Sequence, residues 1–328
     1  MKQKKWVIRF VLSLALIYGF FSVTYYIVNP EFYYDNNLMI KNKIGYDSSF
    51  IKKLREKLNE KNYSLIFGTS RSHTLQKNII GEDTLNMHAI YGNPYSVYEF
   101  LTNLNRNQLE NINKIYYTVD LHTFNGKDSY KYIDYSNAEN KSIIKVLNIK
   151  DFLAIHASFF SDGYISELGH KILDSDKSIS VNFHKYDKSH LPQKFTEDAI
   201  AVFKKIVSFS RLNKIPLVIT TPSFSADMLK HIDMKLLYSK WKKILATGLE
   251  GFYALWYVDG VSNQIIDNKY VAFYDTTHMN YKFQKKIFEE FVLNDNKKYF
   301  IKNEFDLNNL IREIKTKIGQ PSTQSMSF

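Results

Sequence analysis

The chain has 328 residues, 45% of them hydrophobic, and carries 44 Lys and Arg against 33 Asp and Glu, a formal charge of +11. That length and apolar share suffice for one sizeable core, and the absence of cysteine excludes a disulfide framework and a thiolate zinc site. The positive excess suits an anionic polymer or surface, but no nucleic-acid-binding motif, Walker loop or Gly-x-Gly-x-x-Gly pattern is present, so no nucleic acid and no nucleotide cofactor is expected.

Residues 1–9 hold four basic side chains, Lys2, Lys4, Lys5 and Arg9, ahead of an apolar run. Residues 10–28 are 19 positions without a charge, enough for a helix that spans a bilayer. The basic flank places the N-terminus in the cytoplasm and the rest of the chain outside. A cleaved signal peptide fits less well, because the apolar run is long and no small-x-small site follows it. The expectation is an uncleaved, single-pass anchor in the cell membrane with an extracytoplasmic domain. Asn29-Pro30 ends the run. Residues 29–60 read as a juxtamembrane connector and an amphipathic helix with Phe50, Ile51, Leu54 and Leu58 on its apolar stripe.

Ser64-Leu65-Ile66-Phe67 then reads as a buried strand that stops at Gly68. Thr69 and Ser70 stand where a helix can begin, and either can cap it. A serine at that place has its hydroxyl at the carboxyl end of a sheet, beside free backbone N–H groups. Open α/β folds put ligands there, and a developing oxyanion finds donors there. An ordinary strand–turn–helix junction with a capping serine has the same letters. Residues 84–89 predict a second strand running into the Gly92-Asn93-Pro94 turn, and residues 95–109 predict a helix. Residues 114–119 predict a strong strand that ends at Asp120-Leu121-His122. Asp120 and His122 are candidate pocket-lining residues or, equally, satisfied loop residues.

Residues 125–195 are polar and irregular and read as an insertion over the carboxyl edge of the sheet, where substrate recognition usually sits. His156, His170, His184 and His190 lack short ligand spacing, so no metal site is expected. Regularity returns with a helix face of Ala199, Val202, Phe203, Ile206 and Val207, a strand over 217–222, a helix over 234–249 and a strand over 252–258. This alternation predicts an α/β fold with an open, mostly parallel sheet and helices on both faces.

A second motif follows late, at Asp275-Thr276-Thr277-His278, before a helical face of Phe283, Ile287, Phe288 and Phe291. Serine, histidine and aspartate are the chemistries of a nucleophile, its base and the group that orients the base. Spacing alone does not bring them together. The segment 294–328 reads as a polar, lysine-rich extension with an amphipathic helix over 306–318.

Gly68-Thr69-Ser70-Arg71-Ser72 followed by Asp275-x-x-His278 resembles the SGNH (GDSL-like) hydrolase superfamily over roughly residues 60–292. The form of the first motif departs from Gly-Asp-Ser and looks like the membrane-anchored branch related to the teichoic-acid D-alanylation protein DltD and to alginate-type O-acetylation proteins. The resemblance implies an SGNH-like domain over 61–293 with Ser70 as the acylated nucleophile, His278 as its base and Asp275 orienting His278. It also implies an oxyanion site built by N–H groups of Ser70 and Arg71 and by Gly92, which matches the glycine these proteins place after the second strand. The family's Gly-x-Asn-Asp block is absent after residues 114–119, which leaves a third oxyanion donor unassigned. The implied function is extracytoplasmic O-acyl transfer, acetyl above all, to hydroxyls of a cell-surface polysaccharide, with a multi-pass MBOAT-type acyltransferase as membrane partner. A carbohydrate esterase or deacetylase with the same site, a D-alanyl transfer protein and a non-catalytic envelope scaffold are the alternatives.

Overall fold

A computed structural model describes residues 58–72, 75, 80, 83–87, 92–124, 179–180, 196–273 and 278–318, with eight helical positions near the N-terminus; of Ser70, Ile179 and Ser180 it describes the backbone alone. The chain divides into two compact units, Met1–Glu56 with Ile133–His170, and Lys57–Tyr132 with Lys171–Phe328.

In the first unit the described helical positions are Trp6, Arg9, Phe10, Leu12, Ser13, Leu16, Gly19 and Phe20. The rings of Trp6 and Phe10 stack at 5.6 Å. Among the described residues no helix is long and apolar enough to cross a membrane. Residues 21–28 lie outside the described residues, as do residues 29–57 with their expected helix. This corrects the expected fold class in one respect, its preceding transmembrane helix. The single-pass topology and the cell-membrane localisation with an extracytoplasmic domain hung on that span and fall with it, and the MBOAT-type membrane partner implied by the resemblance loses the anchor that would hold the chain beside it. The physical reason is that an uncharged run supplies hydropathy without by itself supplying helix of the necessary length.

The second unit is built on a six-stranded sheet. In chain order its strands are β1 (Tyr63–Phe67), β2 (Asp83–Asn86), β3 (Ile112–Thr118), β5 (Leu217–Thr220), β6 (Phe252–Tyr253) and β9 (Phe300–Ile301), and in space they run β2-β1-β3-β5-β6-β9. All neighbours are parallel except β6 and β9. The mostly parallel sheet is thus present. All five β1 residues are buried, as suits a central parallel strand covered on both faces. Adjacent side chains of β3 show that cover directly. Tyr116 meets Phe288, with ring centroids 5.6 Å apart, and Tyr117 meets Phe203 at 6.1 Å. Successive strand residues point to opposite faces, so these two contacts belong to opposite sides of the sheet.

The helices are set by their caps. Helix α1 (Pro94–Asn103) starts with Pro94 in its first turn, behind Asn93, whose side chain accepts from the Ser96 amide. The single helix expected over 95–109 is two, because Leu104 turns extended and Asn105 opens a new capping box with Gln108 at the head of α2 (Arg106–Glu110). Helix α3 (Glu197–Leu212) carries Phe203 and packs on α1. After β5 come α4 (Ala226–Lys230) and α5 (Met234–Leu245), capped by Ser225 and Asp233. Trp241 of α5 stacks on Phe252 at 4.0 Å and meets Trp256 edge-on at 5.1 Å.

Three features go beyond the sequence reading. A small antiparallel sheet joins β4 (Ile179–Ser180), β8 (Lys269–Tyr270) and β7 (Ile265–Ile266). Helix α6 (Tyr281–Ile287) continues into a π-helical turn over Phe288–Leu293. The segment expected as a polar extension supplies edge strand β9 ahead of the helix expected over 306–318, which is α7 (Glu304–Lys317) and buries Leu307, Leu310, Ile311 and Ile314. Residues 125–178 and 181–195, most of the expected insertion and its histidines, lie outside the described residues.

Candidate functional site

The chain leaves β1 outward to β2 and then returns past β1 to β3, so the strand order reverses between β1 and β3. In open parallel sheets a crevice opens at the carboxyl ends of the strands at that reversal. Gly68–Ser72 follows β1 there, and Val119–Thr123 follows β3.

Gly68 has φ +151°, and a Cβ on it would lie 2.6 Å from Ser72 Oγ and 3.1 Å from Thr118 Cβ. Only glycine lets the chain fold back this tightly beside β3. A single 3-10 turn, Ser70–Ser72, follows instead of a long helix at once. The Ser72 amide and hydroxyl both donate to Thr69 O at 2.9 Å. Asn86, at the end of β2, donates its amide to Ser72 O at 2.8 Å and to Leu75 O at 2.7 Å, which anchors the far side of the turn. Ser70 opens this turn; its side chain lies outside the described residues.

Arg71 points inward. Its guanidinium is paired with the Asp120 carboxylate, and the two side chains are 4% and 0% exposed. Thr69 Oγ1 also donates to Asp120 Oδ2 at 2.9 Å, and the Leu121 amide donates to Asp120 Oδ1 at 2.6 Å. His122 Nδ1 stands 3.9 Å from Asp120 Oδ1. Burial pushes the Asp120 carboxyl up, but the charges of Arg71 and His122 with the hydrogen bonds from Arg71 and the Leu121 amide outweigh it and hold the group down at about 2. Asp120 is therefore an ionised, fully engaged anion beneath the turn. His122 is half-buried beside it.

The second motif comes in from the other end of the chain. Asp275, with residues 274–277, lies outside the described residues; His278 is described and half-buried. The ends of its loop are pinned by an antiparallel bridge between Phe273 and Met279 and by the Asn280 amide on Ala272 O at 2.9 Å. Asn280 stands at the N-cap of α6 without a side-chain cap, and its side-chain NH2 donates to Val271 O at 2.8 Å. One turn into α6, Gln284 Nε2 donates to Arg71 O at 2.7 Å. The helix that follows His278 is thus tied to the turn that holds Ser70.

Gly92 is buried, and its carbonyl accepts from Tyr117 OH at 3.2 Å. That bond fastens the Gly92 turn to β3. A cleft opens beside Arg71, lined also by Thr118, Thr220, Met279, Gln284 and Phe288. The hydroxyls of Thr118 and Thr220 pair at 3.1 Å across β3 and β5. Among the described residues no cluster of three or more His, Asp or Glu is placed to hold a metal ion.

Sequence reasoning placed Ser70, Arg71, Asp120 and His278 at strand ends and a helix entrance, and the fold collects these segments at one edge. It missed Gln284, Thr118, Thr220 and Phe224, whose ring lies under the Arg71 guanidinium with Cζ 5.4 Å from the centroid. The position of Gln284 on α6, one turn past the His278 loop, was the one available signal.

No protein-family model matches the chain, and no curated protein matches it either.

Proposed function

We propose that the chain is a serine-dependent O-acyltransferase of the SGNH type, carrying a short acyl group, acetyl first, from an activated ester to a carbohydrate hydroxyl. The observation that carries this reading is the Gln284–Arg71 hydrogen bond, which ties the first motif of the SGNH resemblance to the helix that follows the second. The switch-point placement of Gly68–Ser72 supports it, because that edge of a parallel sheet offers backbone donors to a reacting anion.

In this reading Ser70 Oγ attacks the acyl carbonyl carbon while His278 takes the hydroxyl proton. Asp275 holds the second imidazole nitrogen and fixes the tautomer. N–H groups of Ser70, Arg71 and Gly92 bear the oxyanion. His278 returns the proton to the departing alcohol, leaving acyl-Ser70. The acceptor hydroxyl then attacks the acyl carbon, giving its proton to His278, which passes it back to Ser70 Oγ as that bond breaks. Water in place of the acceptor makes the same site an esterase.

The test is covalent. The full chain is incubated with a small activated acetyl ester and its intact mass followed. An acetyl adduct that disappears in Ser70→Ala supports the reading. No adduct on the wild-type chain, or an undiminished adduct in Ser70→Ala, overturns it. Faster discharge to an oligosaccharide than to water assigns transfer over hydrolysis.

A further inference from the structure

Arg71, the residue after Ser70, is gripped from four directions. Its guanidinium pairs with Asp120 on the loop after β3 and lies over the ring of Phe224 on the loop after β5. Its amide faces Thr69 Oγ1 at 3.4 Å, and that hydroxyl donates in turn to the same Asp120. Its carbonyl takes the Gln284 hydrogen bond from α6. Three loops of the carboxyl edge and the helix after His278 therefore meet on one residue.

A buried ion pair is a weak source of net stability, because desolvating both ions offsets most of their attraction. Its geometry is nevertheless demanding. Guanidinium is planar, presents fixed donors and stacks on an aromatic face; an ammonium does none of these. We infer that the side chain and carbonyl of Arg71 are positioning groups, which set the Ser70 turn against helix α6 behind His278 through Asp120, Phe224 and Gln284, with the guanidinium held away from the reacting atoms. The catalytic consequence rests on the reading given under Proposed function. The mechanical one, that the Ser70 turn and helix α6 behind His278 are coupled, stands on the contacts alone.

Two variants of the full chain separate these levels. Gln284→Leu removes one side-chain donor from a half-buried position and leaves the ion pair in place. Arg71→Lys keeps the charge and removes the fork and the stacked plane. Backbone hydrogen exchange, read by mass spectrometry, is expected to quicken in both variants in peptides covering 69–75 and 278–288 together, while peptides of β3 and α3 keep wild-type protection. A merely local hydrogen bond would quicken one segment alone. Acetyl-Ser70 formation at saturating ester is expected to slow by roughly 10–10²-fold with KM unchanged, the signature of lost orientation and not of lost binding. Unchanged exchange at 69–75 in Gln284→Leu, or acylation by Arg71→Lys at the wild-type rate, overturns the inference. If the wild-type chain forms no adduct, the proposed function fails, and the exchange pattern alone decides whether Arg71 couples its turn to α6.

Discussion

Gln284 donates its side-chain amide to the backbone carbonyl of Arg71 at 2.7 Å across 213 residues of sequence. One partner belongs to a turn that begins with Ser70, the other to the helix that begins just after His278. The contact is short-ranged and polar, and it sits where three strand ends converge. Its consequences extend to the chemistry, the acid stability and the packing of that edge.

The roles proposed for Ser70 and His278 differ in kind, and so do the expected losses. Ser70→Ala removes the atom that becomes acylated, so no adduct forms. His278→Ala leaves the nucleophile in place without its base, so the adduct forms roughly 10²-fold or more slowly. Intact-mass kinetics at a fixed ester concentration distinguish the two. Equal rates for His278→Ala and wild type would remove the histidine from the mechanism.

Asp120 makes the unit acid-sensitive in a defined window. Its folded carboxyl titrates at about 2 against an ordinary 3.8. A depressed carboxyl stabilises the folded state above its ordinary pKa, and that stabilisation drains away as pH falls from about 4 to about 2. The amount at stake is on the order of 2 kcal/mol. Urea unfolding of wild type and Asp120→Asn, compared at pH 6 and near pH 2, should show the difference between them shrinking by that amount. A difference independent of pH would mean that Asp120 is not the linked group.

Removing the anion altogether is harsher. Asp120→Ala strands the Arg71 guanidinium, 4% exposed, without its counterion. Breaking a buried pair from one side costs about 3–5 kcal/mol. Replacing both partners by apolar residues of similar volume, as in Arg71→Met with Asp120→Leu, should recover most of that in urea melts while still failing to acylate Ser70 at the wild-type rate. Recovery of both stability and rate would show that the pair is dispensable for positioning.

Gly68→Ala tests the turn itself. Its φ of +151° is costly for any L side chain, and the new methyl carbon would fall 2.6 Å from Ser72 Oγ. A destabilisation of about 1–3 kcal/mol is expected from the backbone alone. Ser72→Ala in the same chain should relieve part of the clash and none of the backbone cost. A Gly68→Ala chain that melts like wild type would show that the turn has an alternative path.

The Thr118 and Thr220 hydroxyls, 3.1 Å apart and buried, predict non-additivity. Thr118→Val leaves Thr220 without its partner, and Thr220→Val does the reverse, each at about 1–2 kcal/mol. The double substitution removes both polar groups and should cost clearly less than the sum of the singles. Simple additivity in a double-mutant cycle would mean that the hydroxyls do not pair.

What the sequence determined by itself was local. The apolar run of Leu65, Ile66 and Phe67 before Gly68 specifies a buried strand and its stop, and the Asn93-Pro94 pair specifies a helix start, because propensity, capping and φ restrictions act over a few residues. Alternation of such elements was enough to expect a mostly parallel sheet. Uncharged length at residues 10–28 was not enough to specify a membrane span, since hydropathy leaves the extent of helix undetermined. The tertiary structure decided what lies far apart in the chain. Pairing of β9 on β6 turned a lysine-rich tail into part of the sheet. Burial of Arg71 against Asp120 arose from the strand order, which places the ends of β1, β3 and β5 side by side, and the reach of Gln284 to Arg71 O brings α6 to that edge. No spacing rule links residues 71, 120 and 284. They meet because a parallel sheet gathers successive strand ends at one edge, and buried polar groups there must find partners wherever the chain provides them.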